Sequence, residues 1–304
     1  MARLSEATAL VTGGAGFVGG HLAHALGERG ATVRVLDDCS TGTRERVPAD
    51  ATFVEGDVRD DAAVREAMAG VDVVFHEAAI VSVERSVEDP EATHAVNVDA
   101  TLGVLDAARE VGARVVFASS AAIYGAPETT PVPEDAAKEP SSPYGLEKLS
   151  ADHYCRLYAD LYGVETVALR YFNVYGPGQR GGPYSGVITT FAEQARAGGP
   201  ITVQGDGTQT RDFVHVSDVV RANLAAATTD ETGAAYNVGT GRAVEIRELA
   251  ALIRDRVAPE AEVVNGDARP GDIRASVADV SKARAELGFE AETALADGLD
   301  ALLG

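Results

Sequence analysis

Apolar residues along the chain fall into short unbroken runs separated by segments with helical spacing. Thr8–Val11 is a β-rich apolar run, and Phe17–Arg29 follows with Leu22, Ala25 and Leu26 on one helical face. Val33–Leu36 and Thr52–Val54 predict a second and a third strand, Asp60–Met68 a helix, and Val71–Phe75 a fourth strand. Ala95–Val111 predicts a long helix, Val115–Ala118 a strand, Pro143–Tyr162 another helix and Thr166–Leu169 a sixth strand. Runs this short, apolar throughout and set between helices, are strands buried on both faces, so the pattern predicts an α/β fold with a doubly wound, mostly parallel sheet. After Arg170 the texture changes, with glycine, proline and polar residues dominating 176–186 and 205–211. The expected organisation is a domain over residues 1–172, to which segments at about 212–240 return, and a smaller lobe built mainly from 173–304. The proline-rich stretch 128–142 reads as an ordered loop leading into the Pro143 helix.

Charge narrows the partners. With 26 basic and 47 acidic residues the chain carries −21, which opposes nucleic acid and anionic membrane. Only Lys138, Lys148 and Lys282 are lysines. A composition so acidic and lysine-poor resembles proteins of salt-loving organisms, or an ordinary acidic protein of a GC-rich genome. Cys39 and Cys155 have no metal-type spacing and make no disulfide framework. The six histidines, His21, His24, His76, His94, His153 and His215, show no ligand spacing either, and no metal is expected. No signal peptide or membrane span is legible, which makes the cytoplasm the expected compartment.

Candidate chemistry begins where the first strand ends. Gly13, Gly16 and Gly19 stand three apart between a strand and an amphipathic helix, the context in which the motif has meaning. The first allows a tight turn, the second a close approach of pyrophosphate, the third close packing of helix on strand, while the helix start (Phe17, Val18) offers free N–H groups and a positive dipole end. Asp37 ends the second strand 18 residues after Gly19. A carboxylate there accepts ribose hydroxyls and repels a 2′-phosphate, favouring NAD over NADP. Asp38 is placed to share that role. Asp57 is placed either to meet the adenine or to serve as a turn residue.

Tyr144 and Lys148 lie four apart on the helix that Ser142 and Pro143 begin, hence on one face. With nine tyrosines and three lysines, chance supplies such a spacing roughly 0.1 times. A phenol is a poor base at neutral pH; an ammonium one turn away, and the positive nicotinamide ring beyond it, would favour the phenolate and supply a general base. Ser119 and Ser120 follow the fifth strand at its carboxyl end, the edge at which open α/β sheets bind ligands.

Taken together, Gly13-x-x-Gly16-x-x-Gly19, the run from Ser119 to Gly125, and Tyr144-x-x-x-Lys148 resemble the extended short-chain dehydrogenase/reductase superfamily over essentially the whole chain, most nearly its UDP-glucose 4-epimerases. The resemblance implies catalysis by Ser120, Tyr144 and Lys148, and NAD contacts from Val58, from Ala78 and Ala79 in the His76–Ala79 segment, and from Tyr171. It implies nucleotide-sugar contacts from Ser120, Tyr144, Asn173, Val187, Arg211, Arg269, Asp272 and Ser276, the two arginines holding the diphosphate. The activity implied is inversion of C4 of a UDP-hexose through a transient 4-keto sugar, by a homodimer paired through the Ala95 and Pro143 helices. Ala121 and Ala122 stand where related 4,6-dehydratases carry an Asp-Glu pair and UDP-glucuronate decarboxylases a Glu, which argues against elimination. Ser276 stands where some of these epimerases carry a tyrosine that closes the pocket to N-acetylated sugars, so UDP-N-acetylhexosamines are expected substrates too. Val81 replaces a lysine that the family places on the cofactor side. The alternatives are a UDP-glucuronate 4-epimerase or another nucleotide-sugar oxidoreductase, and, outside enzymes, a cofactor-sensing Rossmann protein.

Overall fold

The computed structural model describes residues 4–179, 186–269 and 271–304; Pro270 and most of the glycine-rich 176–186 stretch lie outside them. In chain order the strands are β1 (Thr8–Thr12), β2 (Thr32–Asp37), β3 (Thr52–Glu55), β4 (Val73–His76), β5 (Arg114–Ser120), β6 (Thr166–Tyr171), β7 (Asn173–Tyr175), β8 (Ile201–Gln204), β9 (Thr210–Arg211), β10 (Phe213–His215), β11 (Ala234–Val238), β12 (Val244–Glu245), β13 (Val263–Gly266) and β14 (Ala275–Ser276). The helices are α1 (Phe17–Glu28), α2 (Asp61–Met68), α3 (Val83–Glu88), α4 (Pro90–His94), α5 (Ala100–Val111), α6 (Pro143–Tyr162), α7 (Val187–Arg196), α8 (Val216–Ala226), α9 (Ile246–Val257), α10 (Ser281–Leu287) and α11 (Leu295–Leu303).

Seven strands form one parallel sheet in the order β11-β6-β5-β4-β1-β2-β3. The order reverses at β1/β4, which opens a crevice at the carboxyl ends of those two strands, where such sheets take their ligands. The apolar runs fill the sheet as expected: β4 and β6 are buried at every position. One face packs on α1 and α8 through Leu22, Leu26, Val219 and Leu224. The other packs on α2, α5 and α6 through Val64, Met68, Leu105, Ala151 and Cys155.

Two elements differ from the sequence reading. The long helix starts earlier, at Pro90 with Asp89 accepting from the Ala92 N–H at 3.1 Å, and passes through a π turn at Ala95–Asp99 before α5. The seventh strand, β11, is an Ala-Ala-Tyr-Asn-Val run of modest hydrophobicity, yet Tyr236 and Val238 are fully buried.

Beyond β6 the parallel pairs β7·β10 and β8·β13 and the three-stranded β12-β9-β14 sheet surround a second centre of packing. Its core is Ile188, Phe191, Leu249, Ile253 and Leu299 from α7, α9 and α11. The 128–142 loop is tied down by bridges of Gly125 to Glu139 and Val132 to Ala278. Beneath it Arg170, 2% exposed, is held by Asp152 at 2.9 Å, the Tyr124 phenol at 2.9 Å and the Glu134 carbonyl at 2.8 Å. Among the described residues no helix is long and apolar enough to cross a membrane.

Candidate active site

The glycine turn is shaped by what has no side chain. Gly13 takes φ +70°, and a Cβ there would stand 2.7 Å from the Ala78 nitrogen across the crevice. A Cβ on Gly16 would come within 2.9 Å of the Gly13 carbonyl oxygen, and one on Gly19 would overlap it. The turn closes through Gly16 N–H to the Gly13 carbonyl at 3.0 Å. This side-chain-free hollow at the N-terminus of α1 fits the pyrophosphate of a dinucleotide. Phe17 and Val18 open that helix, and Ala78 and Ala79, half-buried, line the opposite wall.

At the end of β2 the half-buried Asp37 accepts from the Ala15 N–H at 2.9 Å and the Cys39 N–H at 2.8 Å. Burial raises its carboxyl pKa, with these two hydrogen bonds working against the rise. Asp38 accepts from the Ser40 N–H at 2.9 Å. Asp57, for which two roles stayed open, is engaged by Arg59 through both its N–H at 2.8 Å and its guanidinium, which holds the carboxyl below its ordinary pKa. Val58 beside it packs on the sheet core.

The reactive pair sits on α6. Ser142 caps the helix, its Oγ accepting from the Gly145 N–H at 3.1 Å, and Pro143 opens it. Tyr144 and Lys148 are both buried, at 9% and 3% exposure. Ser120, at the end of β5, accepts from the Ala122 N–H at 3.1 Å and lies close enough to the Tyr144 phenol to draw its pKa down. Ser119 turns the other way and donates to buried Asp152 at 2.9 Å. Burial shifts Tyr144 above an ordinary phenol, with Ser120 working against the rise and Glu147 adding to it. The Lys148 ammonium donates to the Ala118 carbonyl at 2.9 Å and lies 4.9 Å from the centre of the Phe117 ring. Burial of the phenol favours its protonated form.

Several residues here escaped the sequence reading. Glu147, 4% exposed, accepts from Thr93 Oγ1 and Asn97 Nδ2, both at 2.7 Å. Asn97, in the π turn, also accepts from the Ile80 N–H at 2.9 Å and donates to its carbonyl at 3.0 Å. These bonds tie α6 to the loop after β4. Their signal was a carboxylate on the buried face of α6, between Tyr144 and Lys148. His76 spans Thr12 Oγ1 at 2.7 Å and Thr101 Oγ1 at 3.0 Å, and burial drives its pKa down to about 3, so it is a neutral strut. Tyr171 donates to Glu77 at 2.7 Å.

The residues expected at the sugar-nucleotide end are only partly gathered. Asn173 donates from Nδ2 to the Asp212 carbonyl at 2.9 Å. Arg211, on β9, forms an ion pair with Asp272, and Ser276, on β14, pairs with it in register. Arg269 is exposed, and Val187 begins α7 and packs on the lobe's core. Asp272 links the two arginine segments, its N–H donating to the Arg269 carbonyl at 3.2 Å while its carboxylate pairs with Arg211.

Comparison with known proteins agrees with this arrangement. Residues 9–239 match the NAD dependent epimerase/dehydratase family. A putative UDP-glucose 4-epimerase of Methanocaldococcus jannaschii is 38% identical over 293 residues, 95% of each chain. The crystal structure of a Thermotoga maritima UDP-glucose 4-epimerase with UDP-glucose superposes with a TM-score of 0.94 at 36% identity, over 97% of both chains. That of the Thermus thermophilus UDP-glucose 4-epimerase complex with NAD gives 0.90 at 38% identity, again over 97% of both. The chain belongs to the NAD-dependent epimerase/dehydratase family, within the short-chain dehydrogenase/reductase superfamily.

Proposed function

We propose that this chain is an NAD-dependent epimerase that inverts C4 of a UDP-hexose. The observation that carries the reading is the gathering of Ser120, Tyr144 and Lys148 at the carboxyl end of β5, where Lys148 donates to the Ala118 carbonyl, with Ala121 and Ala122 offering no carboxyl group for elimination. Residues 1–172, with the return at about 212–240, hold the dinucleotide; the remainder holds the nucleotide sugar. Gly13, Gly16 and Gly19 admit the pyrophosphate, Asp37 accepts the adenosine ribose hydroxyls, and Lys148 donates to the nicotinamide ribose. When bound, NAD would supply the acceptor and donor for the C4 hydride and a positive charge in the site.

The chain's part is proton control. Tyr144 takes the proton of the C4 hydroxyl, leaving a 4-keto sugar, and returns it after the sugar has turned over. Ser120 keeps that oxygen in line through its bond to the phenol. Arg211, released from Asp272, and Arg269 anchor the diphosphate, since guanidinium pairs with phosphate through two parallel bonds. They supply local positive charge on a chain of −21. The small side chain of Ser276, in register with Arg211, supports a second substrate class, UDP-N-acetylhexosamines. The exposed apolar residues Leu146, Leu157 and Leu161 on α6 and Val111 on α5 support a homodimer paired through those helices.

The test is conversion of UDP-galactose by purified protein, with and without added NAD. Appearance of UDP-glucose with no net reduction of NAD is expected. No product in either arm would overturn the reading.

A further inference from the structure

Asp212, the one residue between β9 and β10, is fully buried and has every polar atom engaged. Its Oδ1 accepts from the Thr240 N–H at 2.8 Å and from Thr240 Oγ1 at 2.6 Å, and its Oδ2 from the Gly241 N–H at 2.9 Å and the Ala278 N–H at 3.1 Å. Its own N–H donates to the Ser276 carbonyl at 2.9 Å, and its carbonyl accepts from the Asn173 N–H at 3.0 Å and from Asn173 Nδ2 at 2.9 Å. Gly239 leaves room for the carboxylate, since a Cβ there would stand 2.7 Å from Oδ2.

These bonds join the two parts of the molecule. Asn173 follows β6, and Thr240 and Gly241 follow β11, the two outermost strands on one side of the seven-stranded sheet. Ser276 and Ala278 belong to β14 and the chain just after it, in the smaller lobe. Side chains alternate along a strand, so the inward carboxylate of Asp212 sends the Arg211 side chain to the other face, where it meets Asp272. We propose that Asp212 is a positioning residue for nucleotide-sugar binding: it holds Arg211 and Ser276 of the lobe against Asn173 of the sheet, so that the three meet the ligand as one surface. What they are held for rests on the functional reading above; the joint itself does not.

The chemistry of the joint calls for a carboxylate. Three of its four donors are backbone N–H groups, and only an ionised carboxyl accepts at both oxygens. The Thr240 hydroxyl accepts from the Arg242 N–H at 3.1 Å and has its proton free for Oδ1. An asparagine of the same shape would set its NH2 against at least one of those N–H groups whichever way it lay, leaving that donor buried and unpaired. The side chains of Asn173, Arg211 and Ser276 are untouched by Asp212→Asn, so a change in binding reports their placement. Asp218 supplies the comparison. It is 1% exposed, accepts from the Glu292 and Thr293 N–H groups, both at 3.1 Å, and ties α8 to the chain before α11.

The test uses full-length wild type, Asp212→Asn and Asp218→Asn, each well below its melting temperature. By hydrogen exchange, the Thr240, Gly241 and Ala278 amides should exchange about 10-fold faster in Asp212→Asn, with those of β1 and β4 unchanged. By calorimetry, UDP should bind Asp212→Asn about 10-fold more weakly, and NAD with wild-type affinity. The KM for UDP-galactose should rise by a similar factor while kcat holds within about threefold. Asp218→Asn loses a buried carboxylate of the same kind and should bind UDP as wild type does. Wild-type UDP affinity in folded Asp212→Asn, or an equal loss in Asp218→Asn, overturns the proposal. Should Asp212→Asn not fold, Thr240→Val, which removes only the hydroxyl, should weaken UDP by about threefold; unaltered affinity overturns the proposal equally. A wild-type protein that binds no UDP sinks the functional reading, and the joint then stands or falls on the exchange of the three amides.

Discussion

Replacing Gly19 by alanine pushes a methyl group into the turn that the glycine motif builds. The new Cβ overlaps the Gly13 carbonyl oxygen and stands 2.9 Å from both the Gly13 carbonyl carbon and Gly14 Cα. Carbon atoms pack at about 3.5–4.0 Å, so the start of α1 must retreat by roughly 1 Å, because the atoms in the way belong to the backbone. Overpacking of this kind costs about 1–3 kcal/mol. The retreat also endangers the 3.0 Å bond from Gly16 to Gly13, worth about 1 kcal/mol. The helix gains about 1 kcal/mol from alanine, leaving a net loss of about 1–3 kcal/mol. Gly27 lies on the same helix, but its added Cβ meets only Asp50 Oδ2, at 4.0 Å. Gly27→Ala should therefore stabilise by about 0.5–1 kcal/mol. Thermal melts should move in opposite directions, by about 2–4 °C per kcal/mol at most, and calorimetry should find NAD affinity lost in the first variant only. A Gly19→Ala protein that melts at or above wild type and binds NAD normally would refute the reasoning.

Tyr144→Phe should lower epimerase kcat by about 10²–10⁴-fold while cofactor affinity survives, since the glycine hollow and Asp37 are untouched; near-normal turnover would remove the phenol from the reaction. Ser276→Tyr should cut kcat/KM for UDP-N-acetylglucosamine far more than for UDP-glucose, and an unchanged ratio counts against the pocket assignment. His76 is neutral in the fold down to about 3 but takes a proton near 6.5 once unfolded. The unfolded state thus binds the extra proton between those values, and stability falls with acidification by up to about 1.4 kcal/mol per pH unit. Urea unfolding of His76→Gln should show that slope flattened, and an identical slope would assign it elsewhere. Finally, a chain of −21 should melt higher as KCl rises from millimolar to molar, because salt screens self-repulsion; a flat melting temperature would dispose of a salt-adapted surface.

What was legible in the sequence follows from what is local. The span Pro143–Tyr162 was readable to the residue because Ser142 caps it, Pro143 opens it and Gly163 ends it in the left-handed conformation. The sheet was readable because strands buried on both faces leave unbroken apolar runs. The earlier start of the Ala95 helix was hidden by its π turn, where one extra residue shifts the apolar stripe. The inward turn of the Arg170 guanidinium was not legible, because which way a side chain leaves a strand depends on register, settled only when the neighbouring strands are in place. The partnership of Glu77 with Tyr171 and Asn223 joins positions 94 and 52 residues apart and leaves no pattern along the chain.

The double pairing of β9 has a consequence for how the lobe can vary. Arg211 is aligned with Val244 on one side and Ser276 on the other, while its neighbour Asp212 is clamped by Thr240, Gly241 and Ala278. A slip of a single position along either neighbour would exchange a cation for an anion at the place proposed for the diphosphate, inverting the sign of attraction there. Length changes between residues 246 and 274 can thus be absorbed only where they leave this three-way alignment in step, so the polarity of the lobe's mouth is guarded by strand parity as much as by the arginine itself.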